Sequence, residues 1–199
     1  MRTFILRARK GTTRWDLVRS QLGAKEHCEV VAHSVINAFF IASGFRVDVE
    51  FYIILDSSED FPRTIKLSGG EGLSISGFHE EAVIQLIEKT LKDSRGLHKD
   101  QILVVAPGIQ IYGFGFERLI SKLIQTRTLY LLDRQGESIR QIKLELDPVF
   151  ILSDHLAMPK KTISGLKRNG LKTISLGKQM LFASQCIVLI NHEMDLAQI

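Results

Sequence analysis

The order of apolar segments in this 199-residue chain predicts an α/β fold with a mainly parallel β-sheet. Short runs rich in β-branched and aromatic residues, typical of strands buried on both faces, alternate with longer runs that have the helical spacing of apolar residues. No internal repeat, low-complexity tract or linker interrupts this alternation. We therefore expect a single domain over residues 1–199.

The first half of the pattern predicts three strands and two helices. The strands are the β-branched and aromatic runs at residues 4–6, 49–55 and 63–67. A helix is predicted over residues 26–42, because apolar residues fill most of its positions and Gly44 follows its end. A second helix, over residues 79–91, is amphipathic, with Val83 and Ile87 on its apolar face.

The second half predicts four further strands and three helices. The strands are at residues 101–105, 128–132, 148–152 and 171–174. The helices are at residues 116–124, 160–167 and 182–194. Pro107 and Gly108 are predicted to end the first of these strands, and residues 133–136 to form a turn. Because helices separate most strands, we expect crossovers between parallel neighbours.

Composition excludes several classes of protein. Hydrophobic residues make up 45% and charged residues 24% of the chain, which is typical of a globular protein and not of a disordered one. No apolar run is long enough to span a bilayer and the first residues lack a cleavage site, so a cytoplasmic protein without membrane partners is expected. Cys28 and Cys186 have no metal-ligand spacing, so neither a metal site nor a disulfide is expected.

Positive charge is concentrated near the amino terminus. Residues 1–25 contain seven cations and a single acid, Asp16, whereas the whole chain has a net charge of +4. The cations are Arg2, Arg7, Arg9, Lys10, Arg14, Arg19 and Lys25. Such an arm suits a polyanion, because neutralised phosphates release counterions, although a solvated surface has the same composition. Our candidates for phosphate contacts are Arg7, Arg9 and Arg14.

Two groups of polar residues are candidates for chemistry, since the usual nucleotide and metal loops are missing. Asp154 and His155 follow a predicted strand, where ligands bind in open α/β sheets. They could form a general base held by a carboxylate, or Asp154 could cap the next segment. Glu29, His33 and Asn37 form a row on one face of the first helix. This row could be a satisfied structural feature or the wall of a substrate cleft.

Four sequence blocks carry a family resemblance. They are TLYLL at residues 128–132, DPVFILSDH at 147–155, ISL at 174–176 and SQCIVLI at 184–190. In order and spacing these blocks resemble the archaeal tRNA pseudouridine N1-methyltransferases of the SPOUT superfamily, and the resemblance covers the whole chain. It implies a C-terminal deep trefoil knot, a homodimer, and S-adenosyl-L-methionine bound at the knot.

The resemblance also assigns residues to the site. Carried over by position, the cofactor contacts are Leu132, Ser153, Leu176, Gly177 and Cys186. Ser153 stands where the archaeal enzymes commonly have Gly, and it is small enough for binding to persist. On the substrate side Glu29 ends a His-Cys-Glu run in place of Arg-Leu-Asp, and His33 replaces an Arg. These departures leave the target base less certain than the cofactor.

The sequence therefore predicts an RNA methyltransferase that acts on N1 of a pseudouridine, with tRNA as one candidate RNA. Glu29 and His33 are the candidate catalytic residues on the substrate side. Two alternatives remain open: a methyltransferase of a substrate other than RNA, and a protein that binds the cofactor or RNA without catalysis.

Overall fold

The computed structural model describes residues 1–23, 28–57 and 59–197. The strands are β1 (Arg2–Ala8), β2 (Phe40–Ile41), β3 (Gly44–Phe45), β4 (Val49–Leu55), β5 (Arg63–Ser68), β6 (Ile102–Ala106), β7 (Ile109–Tyr112), β8 (Leu129–Ser138), β9 (Val149–Ser153) and β10 (Lys172–Ser175). The helices are α1 (Cys28–Phe39), α2 (Glu80–Asp93), α3 (Phe116–Leu123), α4 (Lys160–Arg168) and α5 (Ala183–Ala197). Three short 3₁₀ helices cover Trp15–Leu17, Arg19–Gln21 and Gly69–Glu71.

Eight of the strands form one sheet in the order β10-β8-β9-β1-β4-β5-β7-β6. The five strands from β10 to β4 are parallel, and β5, β7 and β6 continue the sheet in antiparallel fashion. The predicted α/β fold with a mainly parallel sheet is thus confirmed. Every residue of the central strand β1 is buried, because helices cover both faces of the sheet.

The two faces of the sheet have separate apolar cores. Phe4 and Leu6 of β1 contribute to the larger core, which α1, α2 and α5 cover. Ile5, which points to the opposite face, contributes to the smaller core beneath α3 and α4. No helix within the described ranges is long and apolar enough to cross a bilayer.

The structure corrects one predicted helix boundary and adds one strand that the sequence pattern did not predict. The first helix, predicted over residues 26–42, ends at Phe39, and the chain turns at once into the small β2–β3 hairpin. The rings of Phe39 and Phe40 both pack on Phe45, with centroid distances of 5.1 Å, which stabilises this turn. Residues 26 and 27 lie outside the described residues. Sequence reasoning also missed β7, because Gly108, with φ of 68°, joins β6 to β7 in a hairpin.

The turn predicted at residues 133–136 lies within β8, which continues to Ser138. Its pairing with β10 is nevertheless interrupted, since Leu131 lies opposite Thr173 but Glu137 lies opposite Ile174. Residues 132–136 therefore have no paired residue on β10, and we call this segment the excursion of β8. A Cβ atom added at Gly136 would lie 2.7 Å from backbone atoms of Ile174, so only glycine fits where the excursion closes.

Candidate active site

The carboxyl ends of the five parallel strands lie along one side of the large sheet, here called the carboxyl edge. In sheet order these ends are Ser175 of β10, Leu131 of β8 where the excursion begins, Ser153 of β9, Ala8 of β1 and Leu55 of β4. Because the strands are parallel, the segments that follow them emerge side by side, and ligands of open α/β sheets bind at such an edge.

Three of the predicted cofactor residues lie at this edge. Leu132 starts the excursion from β8, Leu176 follows β10 directly, and Cys186 lies in the first turn of α5. Each is half-buried, and all three pack against the larger apolar core. Three segments that are far apart in sequence thus contribute side chains to the same edge of the sheet. Ser153 ends the adjacent strand β9 and is also half-buried.

Hydrogen bonds hold the loop after β10 against the excursion. The Ser175 hydroxyl lies 3.4 Å from the Arg134 carbonyl oxygen, to which it donates. It also accepts from the Gly177 amide at 3.1 Å, and the Ile139 amide donates to the Ser175 carbonyl at 3.0 Å. Gly177 has a φ of 126°, which favours glycine. The backbone beside Leu176 is therefore fixed by local geometry.

Both cysteines are neutral thiols at physiological pH. Burial raises the pKa of Cys186 to about 11 and that of Cys28 to about 12. A nucleophilic cysteine needs a lowered pKa, so neither side chain is prepared for that role. Cys186 offers instead a small, polarisable surface to whatever occupies the edge.

Asp154 has one satisfied and one unsatisfied carboxylate oxygen. Its Oδ1 accepts from the Leu156 amide at 2.8 Å, which closes a turn two residues long, whereas the N-cap of the next helix, α4, is Pro159. Its side chain is only 1% exposed, yet Oδ2 has no hydrogen-bond partner among the described residues. The His155 Nδ1 lies 3.8 Å from this oxygen. Burial raises the pKa of Asp154, against smaller opposing effects of the Leu156 amide, His155 and Arg9.

The polar row on α1 divides into two parts. The Asn37 side chain donates to the His33 backbone carbonyl at 2.8 Å, and the Asn37 backbone carbonyl accepts from the Asn191 side chain at 3.2 Å, so both groups of Asn37 have structural partners. His33 is exposed, with Nε2 3.3 Å from an oxygen of Glu80. Glu29 accepts from the Gly23 amide through Oε1, whereas its buried Oε2 has no partner among the described residues. Glu29 therefore keeps a free acceptor.

The three arginines predicted to contact phosphates have different surroundings. Arg7 is buried, with its guanidinium 2.6 Å from Asp56 and 3.1 Å from Glu117. Arg14 is exposed but paired with Asp16 at 2.6 Å. Arg9 is exposed, and its guanidinium donates to the Ala157 carbonyl at 3.2 Å. Of the three, Arg9 has the guanidinium that remains open to a phosphate.

Fewer cations of the basic arm are available to bind phosphates than its composition indicates. Its cations Arg2, Arg7, Arg14 and Arg19 are each in an ion pair with a carboxylate. Lys25 lies outside the described residues. Sequence reasoning missed Asp56 and Glu117, because their contacts with Arg7 join segments distant in sequence and no local pattern reveals them.

A cleft of about 450 Å³ lies beside β8 and β10. Tyr130, Lys143 and Lys172 are among its lining residues, and none of the five predicted cofactor residues is. The five predicted cofactor residues therefore lie outside this cleft. Among the residues that the structure describes, no three His, Cys, Asp or Glu side chains gather as a metal site would require.

The edge combines half-buried apolar side chains, a fixed backbone loop and the small side chain of Ser153. This combination suits an adenosyl group, whose flat base needs apolar contacts on its faces and backbone groups at its rim. The fold and the site together define the class of α/β proteins that bind a nucleotide-like cofactor at the ends of parallel strands.

Similar proteins identify the family within this class. Residues 1–199 match the model of the family described as "Putative SAM-dependent RNA methyltransferase". Relatives named "Putative pseudouridine methyltransferase" come from Vibrio cholerae (44% identity over 195 residues, 98% of this chain and 97% of the relative), Vibrio vulnificus (41% over 198 residues, 100% of both) and Alcanivorax borkumensis (42% over 198 residues, 99% of both). The chain belongs to this family of SAM-dependent RNA methyltransferases.

A solved structure shares the fold. The crystal structure of Archaeoglobus fulgidus Nep1 bound to S-adenosylhomocysteine matches with a TM-score of 0.65 and 13% identity, over 99% of this chain and 98% of that one. At this identity the likeness concerns the fold alone. The predicted family, the predicted class of enzyme and the predicted cofactor, S-adenosyl-L-methionine, are confirmed by the family match.

Proposed function

We propose that this protein methylates N1 of a pseudouridine in tRNA, as a cytoplasmic homodimer whose single domain ends in a trefoil knot. The observation that carries the proposal is that Leu132, Leu176 and Cys186 all lie half-buried at the carboxyl edge of a chain in this family. The name shared by the relatives supports pseudouridine as the target base.

The contacts of the segment between β8 and β9 support a knot. Ile139 and Leu144 of this segment pack into the same core as Ile187 and Ile190 of α5. Arg140 reaches across to Glu193 at 2.7 Å. The segment between β8 and β9 therefore packs against the C-terminal helix, as is expected if α5 is threaded through the loop that this segment forms.

Exposed apolar residues on the C-terminal part of the chain support a second copy. Val188 on α5 is 46% exposed, and Phe182, just before this helix, is 68% exposed. Burying such side chains against a partner would be favourable, at about 25 cal/mol for each Å² of apolar surface removed from water.

Leu132, Leu176 and Cys186 would hold the cofactor through apolar contacts, with Ser153 and Gly177 providing space and backbone groups. When bound, S-adenosylmethionine supplies an activated methyl group on a sulfonium, so alignment of the nucleophile accounts for most of the acceleration. Methylation of N1 also requires the N1 proton to leave. Glu29 is the group that we propose to accept it, because its Oε2 is buried and has no partner among the described residues. His33, exposed on the same face of α1, would contact the substrate.

The test is nucleoside mass spectrometry on RNA from cells with and without the gene. Loss of one methylated nucleoside, restored by the wild type and by Cys186→Ala but not by Cys186→Trp, is expected, because the indole would fill the space beside Leu176. Both variants are checked for folding by circular dichroism. An unchanged nucleoside profile would contradict the proposal. Calorimetry with S-adenosylhomocysteine then shows whether the cofactor is bound, and methyl transfer to substrates other than RNA distinguishes turnover of another substrate from binding without catalysis.

A further inference from the structure

The C-terminal part of the chain has a charge pattern that the basic amino-terminal arm does not explain. Residues 156–192 contain six cations and no acid. They are Lys160, Lys161, Lys167, Arg168, Lys172 and Lys178. Two of these are paired: Lys167 lies 3.5 Å from Asp133, and Lys172 lies 3.4 Å from Glu145.

Other cations of this part of the chain are unpaired and lie at the carboxyl edge. Lys160 and Lys161 begin α4, which follows β9, and Lys178 follows β10. Three further cations follow the neighbouring strands: Arg134 in the excursion from β8, and Arg9 and Lys10 after β1.

We call these residues the edge cations: Arg9, Lys10, Arg134, Lys160, Lys161 and Lys178. All six are exposed, and none forms an ion pair with a carboxylate in the described part of the chain. The Arg9 guanidinium donates to the Ala157 carbonyl, which ties the end of β1 to the segment that leads into α4. Because β10, β8, β9 and β1 are adjacent, the six cations belong to one continuous side of the sheet.

Stability of the fold does not account for these cations. Lys160 and Lys161 occupy the first turn of α4, where the helix dipole disfavours positive charge, and that turn contains no acid. Lys167 and Arg168, in the last turn, are favoured by the same dipole and are therefore explained by the helix itself. The unexplained charges are those beside the candidate active site.

We propose that the carboxyl edge is the surface on which the RNA backbone docks, with the edge cations contacting phosphates around the target nucleotide. This inference rests on the proposed function and extends it beyond the amino-terminal arm, since only Arg9 and Lys10 of the six edge cations belong to that arm. Four adjacent strand ends span roughly 15 Å at about 4.8 Å per strand. Lys178 is next to Gly177, so the docked backbone lies beside the cofactor residues.

The test compares two double variants with the same change in net charge. Lys160→Gln/Lys161→Gln removes two edge cations and keeps good helix formers at both positions. Lys89→Gln/Lys99→Gln is the matched control, since both lysines are exposed and have no ion pair within the described residues. Lys89 is on α2, which covers the other face of the sheet from α4, and Lys99 precedes β6 at the far end of the sheet.

Binding of a fluorescein-labelled tRNA transcript is measured by anisotropy over a range of salt concentrations. The edge variant is expected to bind about tenfold more weakly at 0.1 M salt, with a salt slope smaller by roughly 1.5, because two phosphate contacts are lost. The control is expected to retain the slope of the wild type. Equal losses in the two variants would overturn the docking surface.

Methyl transfer to the same transcript separates this inference from the proposed function. If the wild type methylates RNA and the edge variant behaves as the control does, the docking surface is wrong and the proposed function stands. If the wild type binds S-adenosylhomocysteine but not the transcript, both are overturned. A larger effect of the edge variant on KM than on kcat supports a docking role.

Discussion

The two ends of the parallel strands differ in how their charged residues are arranged. At the amino ends, cations and carboxylates are paired in half-buried networks. At the carboxyl edge, Arg7 is paired with Asp56, but six exposed cations have no ion pair among the described residues, and one oxygen of the buried Asp154 has no hydrogen-bond partner among them. Ion pairs stabilise the contacts between neighbouring elements, whereas exposed cations without an ion pair remain available for contacts with a ligand.

One network at the amino ends surrounds Arg2. Its side chain is 4% exposed and lies 2.8 Å from both Asp48 and Asp195. Arg46 pairs with Asp195 at 2.5 Å, and the Arg2 guanidinium also donates to the Asn191 carbonyl. These contacts join the start of β1 to the loop before β4 and to the last turns of α5.

The other network is centred on Glu50. Its carboxylate lies 2.7 Å from Lys66 of β5 and 3.0 Å from Arg127, which precedes β8. The Thr3 hydroxyl donates to it at 3.1 Å. All three charged side chains are less than one fifth exposed. Since both cations share Glu50, removing its charge leaves Arg127 without a carboxylate among the described residues and Lys66 with only the more exposed Glu71, 3.5 Å away.

The comparison is tested most strongly by Glu50→Gln. The change leaves Lys66 and Arg127 without their shared carboxylate, and breaking such a pair costs about 3 kcal/mol. We expect the free energy of unfolding to fall by about this amount in urea denaturation. Glu137→Gln is the control, because Glu137 is exposed and has no ion pair in the described chain. A change below about 1 kcal/mol for Glu50→Gln would contradict the view that the amino ends are locked by charge.

The same network gives a pH dependence. Burial raises the pKa of Glu50, but hydrogen bonds and charge from Lys66 and Arg127 outweigh it, so the net pKa is lowered. The stabilisation is therefore complete above the ordinary pKa of about 4.3 and is lost as pH falls through the lower folded-state pKa. Denaturation of wild type and Glu50→Gln from pH 7 to pH 3 should show the difference between them shrinking. A constant difference would assign the effect to packing instead.

The local sequence pattern was enough to predict most of the strands and helices, but not to predict which strands pair with one another. The runs at residues 4–6 and 148–152 are apolar and bounded by turn signals, and they form the adjacent strands β1 and β9. The excursion at residues 132–136 depends on register with β10, some forty residues later, which no window along the chain contains. The β6–β7 hairpin was missed because Pro107 and Gly108 mark a turn without saying that a strand resumes after it.

For the candidate site, the sequence indicates which residues lie at the strand ends, but it does not indicate which side chains surround them. Strand-end residues such as Ser153 and Gly177 follow from the pattern and the family resemblance. That Arg7 is held by Asp56 does not follow, because the two are 49 residues apart. The acid-free stretch at residues 156–192 is visible in the sequence, but its meaning depends on the sheet order that places β10, β8, β9 and β1 side by side.

The comparison becomes sharper when two carboxylates of the carboxyl edge, those of Asp154 and Asp56, are each replaced by an amide. Asp154→Asn keeps the bond from the Leu156 amide and removes a buried charge that has no partner for Oδ2 among the described residues. Because burial raises its pKa, Asp154 stabilises the fold fully only below the ordinary pKa of about 3.9 and loses this contribution as pH rises. We expect the variant to be roughly 1 kcal/mol more stable at pH 7 and unchanged near pH 3.

Asp56→Asn provides the contrast to Asp154→Asn at the same edge. Asp56 is paired with the buried Arg7, so its neutralisation should lower the free energy of unfolding. Thermal denaturation of the two variants at pH 7 and pH 3 measures both effects. Destabilisation by Asp154→Asn at pH 7 would show that the Asp154 carboxylate has a partner that stabilises its charge.

The smallest expected effect concerns the edge cations themselves. Lys160→Gln/Lys161→Gln should change the free energy of unfolding by less than about 0.5 kcal/mol, because both side chains are exposed and their positions oppose the helix dipole. Urea denaturation with an unchanged m-value tests this. A loss of stability comparable to that of Glu50→Gln would mean that the two ends of the strands do not differ. If Lys160→Gln/Lys161→Gln weakens RNA binding without a loss of stability, the two ends of the strands do differ. The charges at the carboxyl edge then contribute to binding and not to folding.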